Sequence, residues 1–364
     1  MICYAELVSA FLFMTVSEYY KSIFGQKVYK LSLDAGCTCP TRDGTLGTSG
    51  CIFCSASGSG DFTASRQFSI SQQVEQAKAL LAPKLKGREV QYIAYFQNFT
   101  NTYGDIPQLK KKWQEALQCP GVVGLSLGTR PDCLGEEVLQ ALGEICEPGG
   151  RFSWSCEQEG QTFQPDLEPG GRFSRSCEQE GQTLQPDLEP GGRFSWSSEP
   201  GGRFSKPFLQ IELGLQTSSQ GSAQYIRRGF SNQTYVNAVK ALHQLNPSIH
   251  VVTHIIFGLP GESRQQMLDS VKFAVDSGTN GIKITNLYVL KGTDLCRDYE
   301  AGKVKCLEME EYFDIIGEAV GMLPPGVVIH RLTGDPPKAL VVAPMWCCNK
   351  KMTMNLGKGI LERK

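Results

Sequence analysis

The chain has 364 residues, with 36 Lys and Arg against 37 Asp and Glu, so its net charge is −1. Near-neutrality removes the simplest argument for a nucleic-acid-coating protein, and a hydrophobic fraction of 41% excludes wholesale disorder. The length accommodates one large domain or two modest ones, and the 14 cysteines are too sparse for a small disulfide scaffold.

Residues 7–16 are mostly apolar, but no basic segment precedes them and the run is too short to span a bilayer. A cytoplasmic protein without a membrane partner is expected. Met14 heads a segment, MTVSEYYKSIFGQKVYK, that suits the rest of the chain better than residues 1–13 do, so translation from Met14 is expected. Strand-like apolar runs follow at 28–33, 90–96, 122–127, 209–215, 251–257 and 282–289. Helical patterns lie between them at 73–85, 106–117, 134–145, 234–245 and 264–276, with Ser231 as the N-cap of the fourth. Strands alternating with helices predict an α/β fold with a parallel sheet, open or curled into a partial barrel.

Between the third helix and the fourth strand, EPGGRFSWSCEQEGQTFQPDL at 147–167 recurs at 168–188 with two substitutions, followed by two truncated copies ending at Lys206. The units lack an apolar stripe at either helical or strand period and bury little surface, so 147–206 reads as a disordered tandem-repeat insertion. Its Cys156 and Cys177 read as copied passengers. The insertion holds six basic and ten acidic residues, which leaves the remainder of the chain at +3.

Cys39, Cys51 and Cys54 crowd into one loop after the first strand, in the form C-x11-C-x2-C within LDAGCTCPTRDGTLGTSGCIFCSASGSGDF. Such a cluster reads as metal binding. Structural zinc wants four ligands, and this loop offers three and a doubtful Cys37. Three thiolates suit a [4Fe-4S] cluster with one iron open to a ligand. The adjacent Cys347 and Cys348 have no assigned role.

The loop resembles that of radical S-adenosylmethionine (SAM) proteins of the subgroup related to the Elongator catalytic subunit, and most closely the bacterial YhcC-like family. Further matches in the same order are YFQNFTNTYG at 95–104, GLSLGTRPDCL at 124–134, IELGLQT at 211–217, HIIFGLPGE at 254–262, LYVLKGT at 287–293 and HRLTGD at 330–335. Cys37, where an aromatic is expected, and the insertion depart from the pattern. The resemblance implies a partial (β/α)6 TIM-like barrel over 25–296, after an N-terminal extension at 1–24 and before a C-terminal appendage at 297–364. It also implies that Cys39, Cys51 and Cys54 hold the cluster, and that its open iron chelates SAM. An electron from a flavodoxin- or ferredoxin-type donor then yields a 5′-deoxyadenosyl radical that abstracts hydrogen from substrate.

The remaining candidates follow predicted strands, at the rim where such folds do chemistry. Arg130, beside Thr129 and Asp132, either grips a carboxylate or phosphate or belongs to a surface turn. Glu212 and Gln216 contact SAM or make core hydrogen bonds. Gly258 and Gly261 let backbone approach adenine or form an ordinary turn. Lys291 binds anionic substrate or is simply solvated. His330 and Arg331 line the substrate pocket, or the histidine is a core residue. Tyr95, Phe96, Phe99 and Tyr103 stack on a base or a tetrapyrrole, or form an aromatic core layer. A tRNA nucleotide is the expected substrate. A coproporphyrinogen-oxidase-like enzyme and a non-catalytic iron–sulfur or zinc protein are the alternatives.

Overall fold

The computed structural model describes residues 13–58, 63–146 and 206–362. Residues 147–205 of the predicted insertion, with Cys156 and Cys177, and the apolar run before Phe13 lie outside them. Ten strands occur among the described residues: β1 (Met14–Thr15), β2 (Val28–Leu33), β3 (Gln91–Phe96), β4 (Val122–Thr129), β5 (Phe208–Gln216), β6 (His250–Phe257), β7 (Gly281–Asn286), β8 (Val289–Leu290), β9 (Val328–Arg331) and β10 (Val341–Ala343). Eight of them make one sheet in the order β1-β9-β7-β6-β5-β4-β3-β2, every neighbour parallel. β8 and β10 pair separately and antiparallel.

The helices are α1 (Val16–Phe24), α2 (Ile70–Leu85), α3 (Ile106–Gln118), α4 (Glu136–Cys146), α5 (Gln220–Tyr225), α6 (Asn232–Leu245), α7 (Arg264–Asp276), α8 (Asp294–Glu300), α9 (Met309–Gly321) and α10 (Lys350–Glu362). Local chemistry sets their ends. Ser69 and Ser263 close capping boxes with Gln72 and Gln266, and Ser231 accepts from Thr234 N–H. In α3, Asp105 caps the start, and Ile106, Leu109, Trp113, Ala116 and Leu117 fall on one buried face. Full burial of each large side chain of this kind contributes roughly 1.5–3 kcal/mol.

Parallel strands covered on both faces usually read as continuous apolar runs. β5 does not. Leu209, Ile211, Leu213 and Leu215 are buried, and the intervening Gln210, Glu212, Gly214 and Gln216 are polar or lack a side chain. That alternation gives the sheet one apolar face for the helices and one polar face for the interior of its curve. The six expected strands are β2 to β7, except that the run at 282–289 breaks at Leu287, whose N–H turns to Phe257 O at 2.8 Å. The region from residue 297 onward contributes β9, which joins the main sheet beside β7. α1 packs against β2, at one edge of the sheet, and against β9, next to the other edge.

Candidate functional site

The cysteine loop is shaped by its own backbone. Arg42 N–H donates to Cys39 O at 2.9 Å, Leu46 N–H to Pro40 O at 2.7 Å and Gly50 N–H to Thr41 O at 2.7 Å. The last bond joins the two ends of the spacer, returning Cys51 to the wall that carries Cys39. Gly50 suits that turn, because its φ is +69° and a Cβ would lie 2.9 Å from Arg42 Nε. Arg42 in turn donates to Ser55 O at 2.8 Å and Cys54 O at 3.3 Å. Cys54 N–H closes a turn onto Cys51 O at 3.2 Å, and Cys39 Sγ meets Thr100 Oγ1 at 3.1 Å.

All three cysteines line one cavity of about 240 Å³. Thr129, Gln216 and Asn286 also line it, from the last positions of β4, β5 and β7, so the cavity sits at the C-terminal rim of the sheet. A hydrogen bond from the Cys54 thiol, with the nearby guanidiniums of Arg130, Arg42 and Arg227, holds Cys51 below the ordinary thiol value despite its burial. Cys37 does not line the cavity, and burial pushes its thiol up to about 12.

Beneath the rim stands Glu212, buried in the middle of β5. Its Oε1 accepts from Lys30 at 2.5 Å, Gln210 at 2.8 Å and Ser126 at 3.1 Å. Its Oε2 meets His254 Nε2 at 2.6 Å and accepts from Tyr95 at 2.8 Å and Lys283 at 2.9 Å. Burial alone would raise this carboxyl; Lys283 and Lys30 outweigh it and hold the group well below the usual carboxylate range. Arg130 is likewise partnered, its Nε and Nη2 donating to Asp132 at 2.9 and 2.7 Å. Arg228 is a buried cation whose bonds go to Leu215 O, Thr217 O, Phe230 O and Asn232 Oδ1, and burial lowers its guanidinium to about 10.

The structure thus brings Cys39, Cys51, Cys54, Thr129, Arg130, Glu212 and Gln216 to one cavity. It does not bring Gly258, Gly261, Lys291 or His330 there. Gly258 has a φ of +86° in the turn after β6, and its Cα faces Leu307. Lys291 is exposed, and its N–H donates to Leu340 O. His330 sits at a bulge where the register jumps from Ile282↔Ile329 to Lys283↔Arg331, so Arg331 lines the cavity and His330 pairs with His250 at 2.8 Å between their Nε2 atoms. Of the aromatic group, Tyr95 and Phe99 reach the cavity wall. Lys283 and Arg228 also line it, and sequence reasoning missed both.

Residues 279–362 match the Radical_SAM C-terminal domain. YtqA of Bacillus subtilis is 34% identical over 336 residues, which cover 92% of this chain and 85% of YtqA. The chain belongs to the YtqA/YhcC family of radical SAM proteins. YhcC of Escherichia coli K12 is 30% identical over 327 residues, covering 90% of this chain and 85% of YhcC. Among solved structures, the archaeal Methanocaldococcus infernus Elp3 with an N-terminal deletion superposes with a TM-score of 0.55 at 16% identity, over 92% of this chain and 61% of that one. This likeness shows that the YtqA/YhcC-family chain has the radical SAM α/β half-barrel fold. The donor set fits the group the family implies. Among the described residues no fourth cysteine lines the cavity, and three thiols leave one iron of a cubane open. A structural zinc needs a compact four-ligand cage, and among the described residues no three His, Cys, Asp or Glu side chains are close enough to enclose a single ion.

Proposed function

We propose that this YtqA/YhcC-family protein is a radical SAM enzyme whose cluster is held by Cys39, Cys51 and Cys54 and whose substrate is a nucleotide within tRNA. The observation that carries the first part is the convergence of the three thiols on a cavity at the C-terminal rim of a parallel half-barrel. A [4Fe-4S] cluster held by Cys39, Cys51 and Cys54 would supply one-electron reduction of SAM, fed by a flavodoxin- or ferredoxin-type donor, giving methionine and a 5′-deoxyadenosyl radical able to take a hydrogen atom from substrate.

The chain's own residues do the rest. Arg42 and Arg130 offset the negative charge of the thiolates. Thr129 and Gln216, at strand ends on the cavity wall, offer polar atoms to SAM. Phe99 presents an aromatic face to a base, with the guanidiniums of Arg42 and Arg66 at 5.6 and 5.7 Å from its ring.

Anaerobic reconstitution tests the cluster. About four irons per chain, lost in Cys51→Ser, together with formation of 5′-deoxyadenosine under dithionite, are the expected results. A single tightly held zinc, or no SAM cleavage by a fully loaded sample, would sink the reading. Binding of bulk tRNA should fall steeply with salt, because Lys and Arg release counterions from phosphates. Salt-indifferent binding of a tetrapyrrole without tRNA binding would replace the RNA assignment.

A further inference from the structure

Two cations on the cavity wall are left over by the thiol and SAM assignments. Lys283 on β7 and Arg331 on β9 are register partners on adjacent parallel strands, and both line the cavity. Like charges facing each other across neighbouring strands are destabilising unless something between them is negative. The carboxylate beside them is Glu212, and it is saturated. A carboxylate has about four lone-pair positions, and both Glu212 oxygens already serve Lys30, Gln210, Ser126, His254, Tyr95 and Lys283.

The charge balance is explicit. Lys30, Lys283 and Arg331 are three cations against one anion, Glu212. His254 adds nothing, because burial and the charge of Lys283 lower its imidazole to about 4, so it is neutral in ordinary buffers. Arg331 has no carboxylate partner among the described residues, and it approaches Lys283 and Tyr95 closely enough for its charge to be felt by both. Glu212 is shared between Lys30 and Lys283, so the wall that Lys283 and Arg331 present to the cavity is left net positive.

Their geometry suits an oxyanion. The Lys283 ammonium donates to Glu212 at 2.9 Å and Tyr95 OH at 3.1 Å, which leaves the third of its N–H bonds. Arg331, exposed at the mouth, brings a planar fork that can take two oxygens of one phosphate. The ring of Tyr95 holds both ammoniums in place, with Lys30 at 4.7 Å and Lys283 at 5.2 Å from its centre.

We infer that Lys283 and Arg331 form a phosphate subsite of the reaction cavity, built on strands other than the one that feeds the cysteine loop. An ammonium and a planar guanidinium fork on adjacent strands match the several oxygens of a phosphate better than a single carboxylate. The subsite rests on the radical SAM reading only in that its phosphate is taken to belong to the substrate; binding itself is ion pairing and hydrogen bonding, with no bond made or broken.

The test uses the full chain at low salt, titrated anaerobically with inorganic phosphate and, separately, with acetate. Saturable phosphate binding is expected, about ten-fold or more tighter than acetate and about ten-fold or more weaker in Arg331→Gln. Arg331→Lys, which keeps the charge, should retain more of the affinity than Arg331→Gln, and melting curves identify any variant that fails to fold. Absence of saturable binding, equal affinity in Arg331→Gln, or a loss that follows Arg42→Gln in place of Arg331→Gln would each overturn the subsite. SAM cleavage by the unaltered protein is measured in parallel: its failure would remove the enzyme reading while the phosphate titration still decides the subsite.

Discussion

Glu212 holds two buried or half-buried lysines to the inside of the sheet. Glu212→Ala leaves Lys30 and Lys283 facing each other, and should cost about 3–5 kcal/mol, read as a lower denaturant midpoint. The carboxyl is held below its unfolded value, so its stabilisation is present above the usual carboxylate range and is lost as pH falls toward the folded value. Lys283 gives the same sign of pH dependence in a higher window. Burial lowers it from 10.5 to about 8 against the attraction of Glu212 and with repulsion from Arg331 and Lys30. Between those values the unfolded chain binds a proton that the folded chain does not, so this residue makes stability rise with pH across that window. Phosphate affinity should fall as pH passes through about 8, because the subsite loses the Lys283 charge while Glu212 and Tyr95 keep their protonation states and His254 is already neutral. Titration at several pH values checks this; affinity that is flat from pH 7 to about 9 would be the contrary result. Lys283 was not legible in the sequence as a site residue, since one lysine between Ile282 and Ile284 has no local partner and its meaning comes from Glu212 on another strand.

At the scale of the element, boundaries were legible wherever a cap is local. Ser231 and the run at 264–276 are of this kind, because a Ser side chain and the N–H three residues on decide where a helix begins. The closure of the cysteine spacer was legible only as glycine content; the bond from Gly50 to Thr41, and the way Arg42 occupies the space over Gly50, belong to the folded loop. Gly50→Ala therefore combines a left-handed φ with a clash, and should cost about 1–2 kcal/mol locally. The expected outcome is poor iron retention after reconstitution with an unchanged far-ultraviolet circular dichroism spectrum. Full retention would mean that the loop tolerates another path. β5 carried more information than was drawn from it, since the alternation of Leu and Ile with Gln210, Glu212, Gly214 and Gln216 already marks a strand with one polar face.

For the molecule as a whole, β9 is the decisive late element. It covers the edge of β7 and carries Arg331, so a chain ended at residue 296 would bare a parallel edge strand and lose the β10 partner of β8. Such a truncation should lose cooperative melting and aggregate; a soluble, cooperatively folding fragment would show that the region after 296 is dispensable to the sheet. β9 was hard to place from sequence because it spans four residues and its pairing is set by strands far away in the chain.

The pairing of Met14 with Val328 and of Thr15 with Ile329 has a consequence for synthesis on the ribosome. The segment at 14–15 docks against a strand made far later in the chain, and α1, which follows it, packs against both β2 and β9. Closing so long a loop is slow and entropically costly. Residues 14–15 therefore wait for 328–331 to emerge, while Tyr20 and Phe24 can already be covered in part by Val28, Ile93 and Phe208. Backbone protection of Thr15 should be gained only on chains long enough to carry β9, after the sheet from β2 to β7 has formed.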